Sequence, residues 1–398
     1  MKNRLISYDE ALDIIRGALK PSGIRLQPTL NQAGGRPLGR DIVATISHPR
    51  FDNSAVDGYA ISRAEDAAEG TLLRVEGSVA AGSRTPAPIA GGTAARIFTG
   101  APLPPNCYGI AMQEDVNEEG GLFVTLEEPI AHHQHIRRAG QDFRAGDILA
   151  EAGTDITPGV IALIASQGLL EIEVYEPPRV GVIATGDELV PAGRLLEPHH
   201  VVDSNTPMLA YQAELAGAKS TRQQLVRDDP LELTDVLERA SHDCDLVIVS
   251  GGASVGEHDH LSHVVSKLGK ILFHGVAMRP GKPVLFAELR KTFVLGLPGN
   301  PASSFVCFEL FAREAIRRLA SYREPELQWR PVPFLGEVDG LKREEFARCK
   351  LGPHGATPIR EQASFGIRSL AECDCLVRLP IGKKVSPGDL MPATILYR

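Results

Sequence analysis

Asp245-Leu246-Val247-Ile248-Val249-Ser250-Gly251-Gly252-Ala253-Ser254-Val255-Gly256-Glu257-His258-Asp259 is the stretch on which the fold turns. Leu246 to Val249 are consecutive apolar residues, mostly β-branched, and they read as a strand buried on both faces. Ser and Gly follow at once. Asp259 then stands where it can cap a helix whose apolar positions are Leu261, Val264, Val265 and Leu268. Strand, glycine turn and helix start together make an anion site: backbone without side chains lets a phosphate approach, and free N–H groups point at it. The acids Glu257 and Asp259 at the far end suit a divalent cation lying between carboxylates and phosphates. The stretch therefore predicts a phosphate-plus-magnesium site.

Outward from this stretch, strands and helices alternate. Val180-Gly181-Val182-Ile183-Ala184 is a second buried strand, ending in Thr185-Gly186-Asp187-Glu188. Asn205-Thr206-Pro207 and Asp229-Pro230 open helices. Val284 to Ala287 and Phe293 to Gly296 read as a hairpin around Arg290-Lys291, and the second strand ends in Leu297-Pro298-Gly299-Asn300-Pro301. Asn300 is the expected N-cap of a long helix over 302–319. The pattern is an open, mostly parallel α/β domain. Ligands of such sheets bind outside the carboxyl ends of the strands, so the turns at 185–188, 250–259 and 297–301 converge on one crevice. Asp187 and Glu188, Asp228 and Asp229, and Glu257 and Asp259 all flank it. A lone carboxylate at a helix start commonly just complements the helix dipole. Three such groups around one crevice point to a cation. Arg279 and Lys282, in a stiff Arg-Pro-Gly-Lys-Pro turn, would form the basic side.

The flanks differ in texture. Ser7 caps a helix with an apolar stripe through Ala11, Leu12, Ile15 and Ala18. Phe51-Asp52-Asn53-Ser54-Ala55-Val56-Asp57-Gly58-Tyr59-Ala60 reads as a turn-rich surface loop, whose turn chemistry alone leaves Asp57 equally a turn aspartate bonding local backbone or a functional carboxylate. Short alternating runs from Leu72 to Leu126 predict a small β domain, with Thr99-Gly100-Ala101-Pro102 between two of its strands. His132-His133-Gln134-His135 reads as a solvated loop, because adjacent histidines do not easily converge on one ion. Beyond Pro325 short strands return. The expected fold class is multidomain α/β plus β. An N-terminal helical and linker domain spans 1–45 and 140–177, a small β domain 46–139, the α/β domain 178–325, and a C-terminal β-barrel-like domain 326–398.

Bulk numbers bound the function. A chain of 398 residues is too long for one core, so about two to four domains are expected. With 43% hydrophobic and 23% charged residues it reads as a soluble globular protein. A formal net charge of −8 argues against a nucleic-acid binder. Cys107, Cys244, Cys307, Cys349, Cys373 and Cys375 form no C-x-x-C pair and read as reduced structural thiols of a cytoplasmic protein. The charged, amphipathic N-terminus is not a signal peptide, and no apolar run approaches a membrane span. Neither G-x-G-x-x-G spacing nor a Walker A motif is present.

Six motifs, in order along the chain, carry a resemblance. Phe51 to Ala60, Ile97-Phe98-Thr99-Gly100-Ala101-Pro102, Ile136-Arg137-Arg138-Ala139-Gly140-Gln141-Asp142, Ala184-Thr185-Gly186-Asp187-Glu188-Leu189, Ser250 to Gly256, and Leu297 to Pro301 together resemble the MoeA family, whose members are molybdopterin molybdenumtransferases. Gephyrin's E domain is similar. The resemblance implies a molybdopterin-binding-like α/β domain and the insertion of molybdate into adenylylated molybdopterin, with release of AMP and Mg²⁺ assisting. It further implies a homodimer with each active site between the α/β domain of one subunit and the small β domain of the other.

Carried residue by residue, the resemblance makes Asp57, Thr99, Asp142, Glu188, Asp228 and Asp259 catalytic, with Glu188, Asp228 and Asp259 as Mg²⁺ ligands. Substrate would be bound by Ser250, Gly251, Gly252, Ser254, Gly256, Arg279, Lys282, Pro298, Asn300, Arg348 and Ser369. Many members carry a lysine four residues before the position of Arg279, where this chain has Gly275, with His274 beside it as a candidate substitute. Partner proteins would be a molybdopterin adenylyltransferase and the molybdoenzymes that receive the cofactor. The alternatives are a divergent paralogue acting as an adenylyltransferase-like nucleotidyl enzyme, and a gephyrin-like scaffold.

Overall fold

The computed structural model describes residues 5–21, 23–84, 86–252 and 260–396. The chain forms two compact units. One comprises Met1–Arg40, Ala152–Ile161 and Leu170–Arg398, the other Asp41–Glu151 and Ala162–Leu169.

The first unit is built on a six-stranded sheet. Its order is Lys219–Val226, Arg179–Thr185, Leu246–Ser250, Thr292–Leu297, Leu285–Leu289 and Lys270–His274. The first four strands are parallel, and Leu285–Leu289 runs antiparallel to both of its neighbours, so the sheet is mixed. Leu246–Ser250 is buried at every position. Its alternation explains why: Leu246 and Ile248 join the core under helices Asn205–Leu215 and Pro301–Cys307, while Val247 and Val249 join the core under Pro230–Asp243 and His260–Leu268. The N-terminal helix Tyr8–Ala18 starts with a capping box, in which Ser7 Oγ accepts from Glu10 N–H and Glu10 accepts from Ser7 N–H. Its Tyr8 packs edge-on against Phe311 and Phe346 in the first of these cores.

The structure departs from the sequence reading in three elements of this unit. Lys219–Val226 is a strand that the α/β alternation did not reveal. Most of its residues are polar and half exposed, because it forms the sheet edge. The expected long helix contains a π turn, Phe308–Ala312, between α-helical Pro301–Cys307 and Arg313–Leu319. Asn300 is the N-cap by backbone but not by side chain. Its Nδ2 donates to Ser364 Oγ at 3.0 Å instead.

The same unit carries a second sheet: Met278–Arg279, Glu344–Gly352, Cys375–Leu379, Leu390–Ile395 and Arg330–Pro333. Gly355–Pro358 pairs with Glu344–Gly352, and Ala356 also bridges Phe334, just past the last strand. Hydrogen bonding therefore runs round a ring, which encloses Phe334, Ala347, Cys349, Cys375 and Val377. Met278 and Arg279 register with Glu344 and Glu345, tying the Arg-Pro-Gly-Lys-Pro turn to this sheet.

The second unit holds a six-stranded sheet in the order Gly109–Met112, Gly58–Ile61, Thr93–Ile97, Leu72–Val79, Phe123–Leu126 and Val116–Glu119. This corrects the reading of 51–60 as a surface loop. Asn53 and Ser54 are buried and pair with Ile136–Arg137, and Gly58–Ile61 is an interior strand bonded on both sides. The Asx and Gly content marks tight turns between very short strands, with Tyr59 and Ile61 supplying the burial.

Candidate functional site

Four parallel strands of the first sheet end on one edge. Ala184 registers with Ser250, Ser250 with Leu297, and Thr185 with Val226. The turns after them meet at a cavity of about 430 Å³ lined by Thr185, Glu188, Asp228, Ser250, Gly251, Gly252, Pro298, Gly299 and Asn300, among others. Asp228 thus follows a strand, which the sequence reading had not recognised.

Four hydrogen bonds hold these turns together. Asn205, buried at the first turn of its helix, donates from Nδ2 to Ser250 Oγ at 2.8 Å and to the Gly299 carbonyl at 2.7 Å. Ser250 Oγ also lies 3.1 Å from Ser304 Oγ. Asp187 accepts from the Asp228 N–H at 3.3 Å, bracing the turn next to the edge strand. Gly251 has φ +95°, and a Cβ there would stand 2.6 Å from the Thr185 carbonyl oxygen, so only glycine fits. Its N–H is spent on the Leu297 carbonyl at 3.2 Å. Ser250 and Gly251 therefore shape the turn. Ser254, Gly256 and Asp259 lie outside the described residues.

Glu188 and Asp228 are exposed, and neither carboxylate has a hydrogen-bond or ion-pair partner among the described residues. Two unspent carboxylates on one cavity wall are oxygen donors of the kind a hard divalent cation takes.

A second cavity, about 530 Å³, shares Pro283, Pro298 and Asn300 with the first. Its wall holds three cations: Arg279, Lys282 and Arg343. Arg279 Nη1 is 3.3 Å from Glu345 Oε2. Lys282 and Arg343 have no ion-pair partner among the described residues. The crevice is therefore one cleft with an acidic end and a basic end. Arg343 was missed from sequence because it stands in a charged run, Lys342 to Glu345, that resembles any solvated loop.

Arg348 and Ser369, expected as substrate contacts, are both buried and do not line either cavity. Arg348 is 1% exposed, and its Nη2 donates to the carbonyls of Glu361 and Ala363 at 2.9 and 3.1 Å. Burial pulls its pKa below the usual arginine value. Ser369 Oγ is spent on the Gly366 carbonyl at 2.6 Å. Both fix the loop that brings Gln362, Ala363, Ser364 and Phe365 to the cavity wall.

Gly275 has φ +96°, and a Cβ there would meet Leu5 Cδ2 at 2.7 Å. The lysine that the resemblance leads one to expect would be strained on this backbone and would have to push Leu5 aside. His274, the candidate substitute, lies in a strand registered against Leu285 and does not line either cavity.

The remaining candidates lie in the second unit. Asp57 Oδ1 accepts both the N–H and the hydroxyl of Thr99, each at 2.8 Å. These two bonds hold the Asp57 carboxyl below the usual carboxylate range. The plain turn reading of Asp57 thus has a specific form, a clamp on the next strand end. Asp142 lines a cavity of about 610 Å³ with His48, Asn53, Gly100, Arg137 and Gln141. Its backbone N–H is fixed by the His48 carbonyl at 3.0 Å. His132-His133-Gln134-His135 is a turn, as read, and forms no metal-spaced group among the described residues.

Comparison with known proteins fits this architecture. Residues 6–168 match the MoeA N-terminal region (domain I and II), 181–318 a probable molybdopterin binding domain, and 339–396 the MoeA C-terminal region (domain IV). A molybdopterin molybdenumtransferase of Haemophilus influenzae is 34% identical over 344 residues, covering 86% of this chain and 83% of that one. Molybdopterin molybdenumtransferase 2 of Mycobacterium tuberculosis is 35% identical over 366 residues, covering 88% and 90%. The crystal structure of the molybdopterin biosynthesis protein MoeA from Pyrococcus horikoshii superimposes with a TM-score of 0.84 at 27% identity, over 99% of this chain and 100% of that one. The sheet that gathers the cleft, the flanking β units and these relatives agree: the chain belongs to the MoeA family of molybdopterin molybdenumtransferases.

Proposed function

We propose that the chain inserts molybdate into adenylylated molybdopterin, releasing AMP, as a step of molybdenum cofactor biosynthesis in the cytoplasm. The observation that supports this most is the polarity of the cleft, with unspent carboxylates at one end and three cations at the other, joined by a glycine turn. Such a site suits a substrate that carries a pyrophosphate and must meet a second anion.

Glu188 and Asp228, with Asp259, would hold Mg²⁺. When bound, that ion would offset the pyrophosphate charge and polarise phosphorus toward attack. The turn after Ser250 would receive the phosphates on backbone N–H groups. Arg279, Lys282 and Arg343 would draw in the molybdate dianion against the net charge of the chain. Arg348 and Ser369 would act through the loop they fix. Asp57, kept ionised by Thr99, and Asp142 would complete the site from the small β domain of a partner subunit in a homodimer. They would order water or accept a proton as the phosphoanhydride is cleaved.

The adenylyltransferase alternative needs only the central domain and consumes ATP, and a scaffold needs no such cleft. Product analysis tests all three. Adenylylated molybdopterin incubated with the chain and Mg²⁺ is expected to yield AMP only when molybdate is present. ATP consumption, or no nucleotide product under any condition, would overturn the proposal.

A further inference from the structure

Residues 191–200 connect two short strands, Leu189–Val190 and Val201–Val202, which pair in parallel. The loop ends, directly before the second strand, in Glu197-Pro198-His199-His200. This segment folds as a β-turn: the His200 N–H donates to the Glu197 carbonyl at 3.0 Å, and Pro198 occupies the second position, where its fixed φ is favoured. The turn gathers three side chains. One ligand atom from each of Glu197, His199 and His200 lies within 4.8 Å of the others. His199 Nε2 is 3.8 Å from Glu197 Oε2, and the two imidazole rings are 4.4 Å apart between centroids. Among the described residues, no other set of three His, Cys, Asp or Glu side chains has this spacing. The contrast with His132-His133-Gln134-His135 is instructive. His132 and His133 also approach, with ring centroids 3.5 Å apart, but among the described residues no third His, Cys, Asp or Glu joins them at metal-ligand spacing, whereas here a proline turn supplies a carboxylate from upstream.

We propose that Glu197, His199 and His200 form a binding site for a borderline divalent transition cation of the Zn²⁺, Co²⁺ or Ni²⁺ class. Two imidazole nitrogens and one carboxylate oxygen are the donor set such ions take, whereas Mg²⁺ prefers oxygen alone. Three protein donors leave the remaining coordination positions to water, so the site is reversible rather than a permanent structural staple. Without a cation, His200 Nδ1 accepts the Glu197 N–H at 3.2 Å, at the long end for such a bond. A cation taking that lone pair releases the amide to water, because the turn is exposed.

The site has a mechanical consequence. The Val201 N–H donates to the Glu188 carbonyl, and the Asp203 N–H to the Val190 carbonyl, both at 2.9 Å. The stems of the loop are therefore bonded directly beside the acidic end of the cleft. A cation joining Glu197 to His199 and His200 stiffens the loop at that point. This inference does not depend on the reaction proposed above.

Untagged full-length chain titrated with Ni²⁺ in a calorimeter tests it. The expected result is one site that His199→Ala/His200→Ala weakens by at least about thirtyfold, that Glu197→Gln weakens less, and that His133→Ala leaves unchanged. Excess Mg²⁺ is expected not to displace the ion. A second readout is trypsin cleavage after Arg194, inside the loop. Ni²⁺ should slow it in the wild type and not in the double variant. Equal Ni²⁺ binding by wild type and double variant, displacement by Mg²⁺, or cleavage at Arg194 indifferent to Ni²⁺ would overturn the assignment.

Discussion

Asp57 shows how a turn fixes and orients a carboxylate. Both Thr99 donors converge on one of its oxygens, which leaves the other exposed and the carboxyl ionised. Asp57→Asn keeps the acceptor for Thr99, so the fold is retained while the charge is lost. The expected outcome is an unchanged melting temperature and turnover lower by about a hundredfold. Matched turnover would remove Asp57 from the mechanism. Glu309 shows the opposite effect. It is fully buried in the π turn, and burial pushes its pKa up to about 7, against the pull of Arg313 and of a 2.7 Å bond from Gln212. The folded state therefore holds this proton more tightly than the unfolded chain does. Its contribution to stability is complete below the ordinary glutamate value of 4.5 and is lost as pH rises through about 7. Thermal melts of wild type and Glu309→Gln between about pH 5 and 7.5 should diverge, the wild type losing stability with rising pH relative to the variant. Parallel profiles would contradict that assignment.

At the scale of elements, the cleft is the product of register. Four parallel strands end level, and Asn205 stitches two of their turns together. The apolar strands at 180–184 and 246–249 were legible because complete burial leaves only aliphatic side chains possible. The edge strand 219–226 was not, because a strand covered on one side tolerates Lys, Arg and Gln, and its composition resembles a loop. The same cause hid the correct context of Asp228. At the site, Glu188, Arg279 and Lys282 announced themselves through turn chemistry. Arg348 needed the fold, since only packing reveals that an arginine faces inward. Arg343 needed it too, since only the second sheet carries that residue to the cleft. Gly275 is constrained by backbone, with φ +96° and Leu5 against it. Gly275→Lys should cost about 1–3 kcal/mol and lower the melting temperature without raising molybdate affinity. A stable variant with tighter molybdate binding would show that the missing lysine, not the backbone, is the operative difference.

For the whole molecule, the candidate acids divide between the two units, Glu188 and Asp228 in one and Asp57 and Asp142 in the other. If each site is shared between subunits of a homodimer, Asp57→Ala and Asp228→Ala chains complement each other. Refolding an equal mixture should regenerate roughly a quarter of wild-type sites from two inactive variants, and none if each site is built within one chain. The central claim is that the two ends of the cleft do different work. It is tested most directly by AMP release at graded molybdate concentrations, comparing wild type, Asp228→Asn and Arg279→Ala. On the proposed reaction the acidic end would act on the phosphoanhydride, so Asp228→Asn should lower kcat by at least about a hundredfold and leave the molybdate KM nearly unchanged. On the same proposal the basic end would bind the oxyanion, so Arg279→Ala should raise that KM by about tenfold with little effect on kcat. If both variants shift the same parameter, or neither shifts any, the cleft does not divide the reaction in this way.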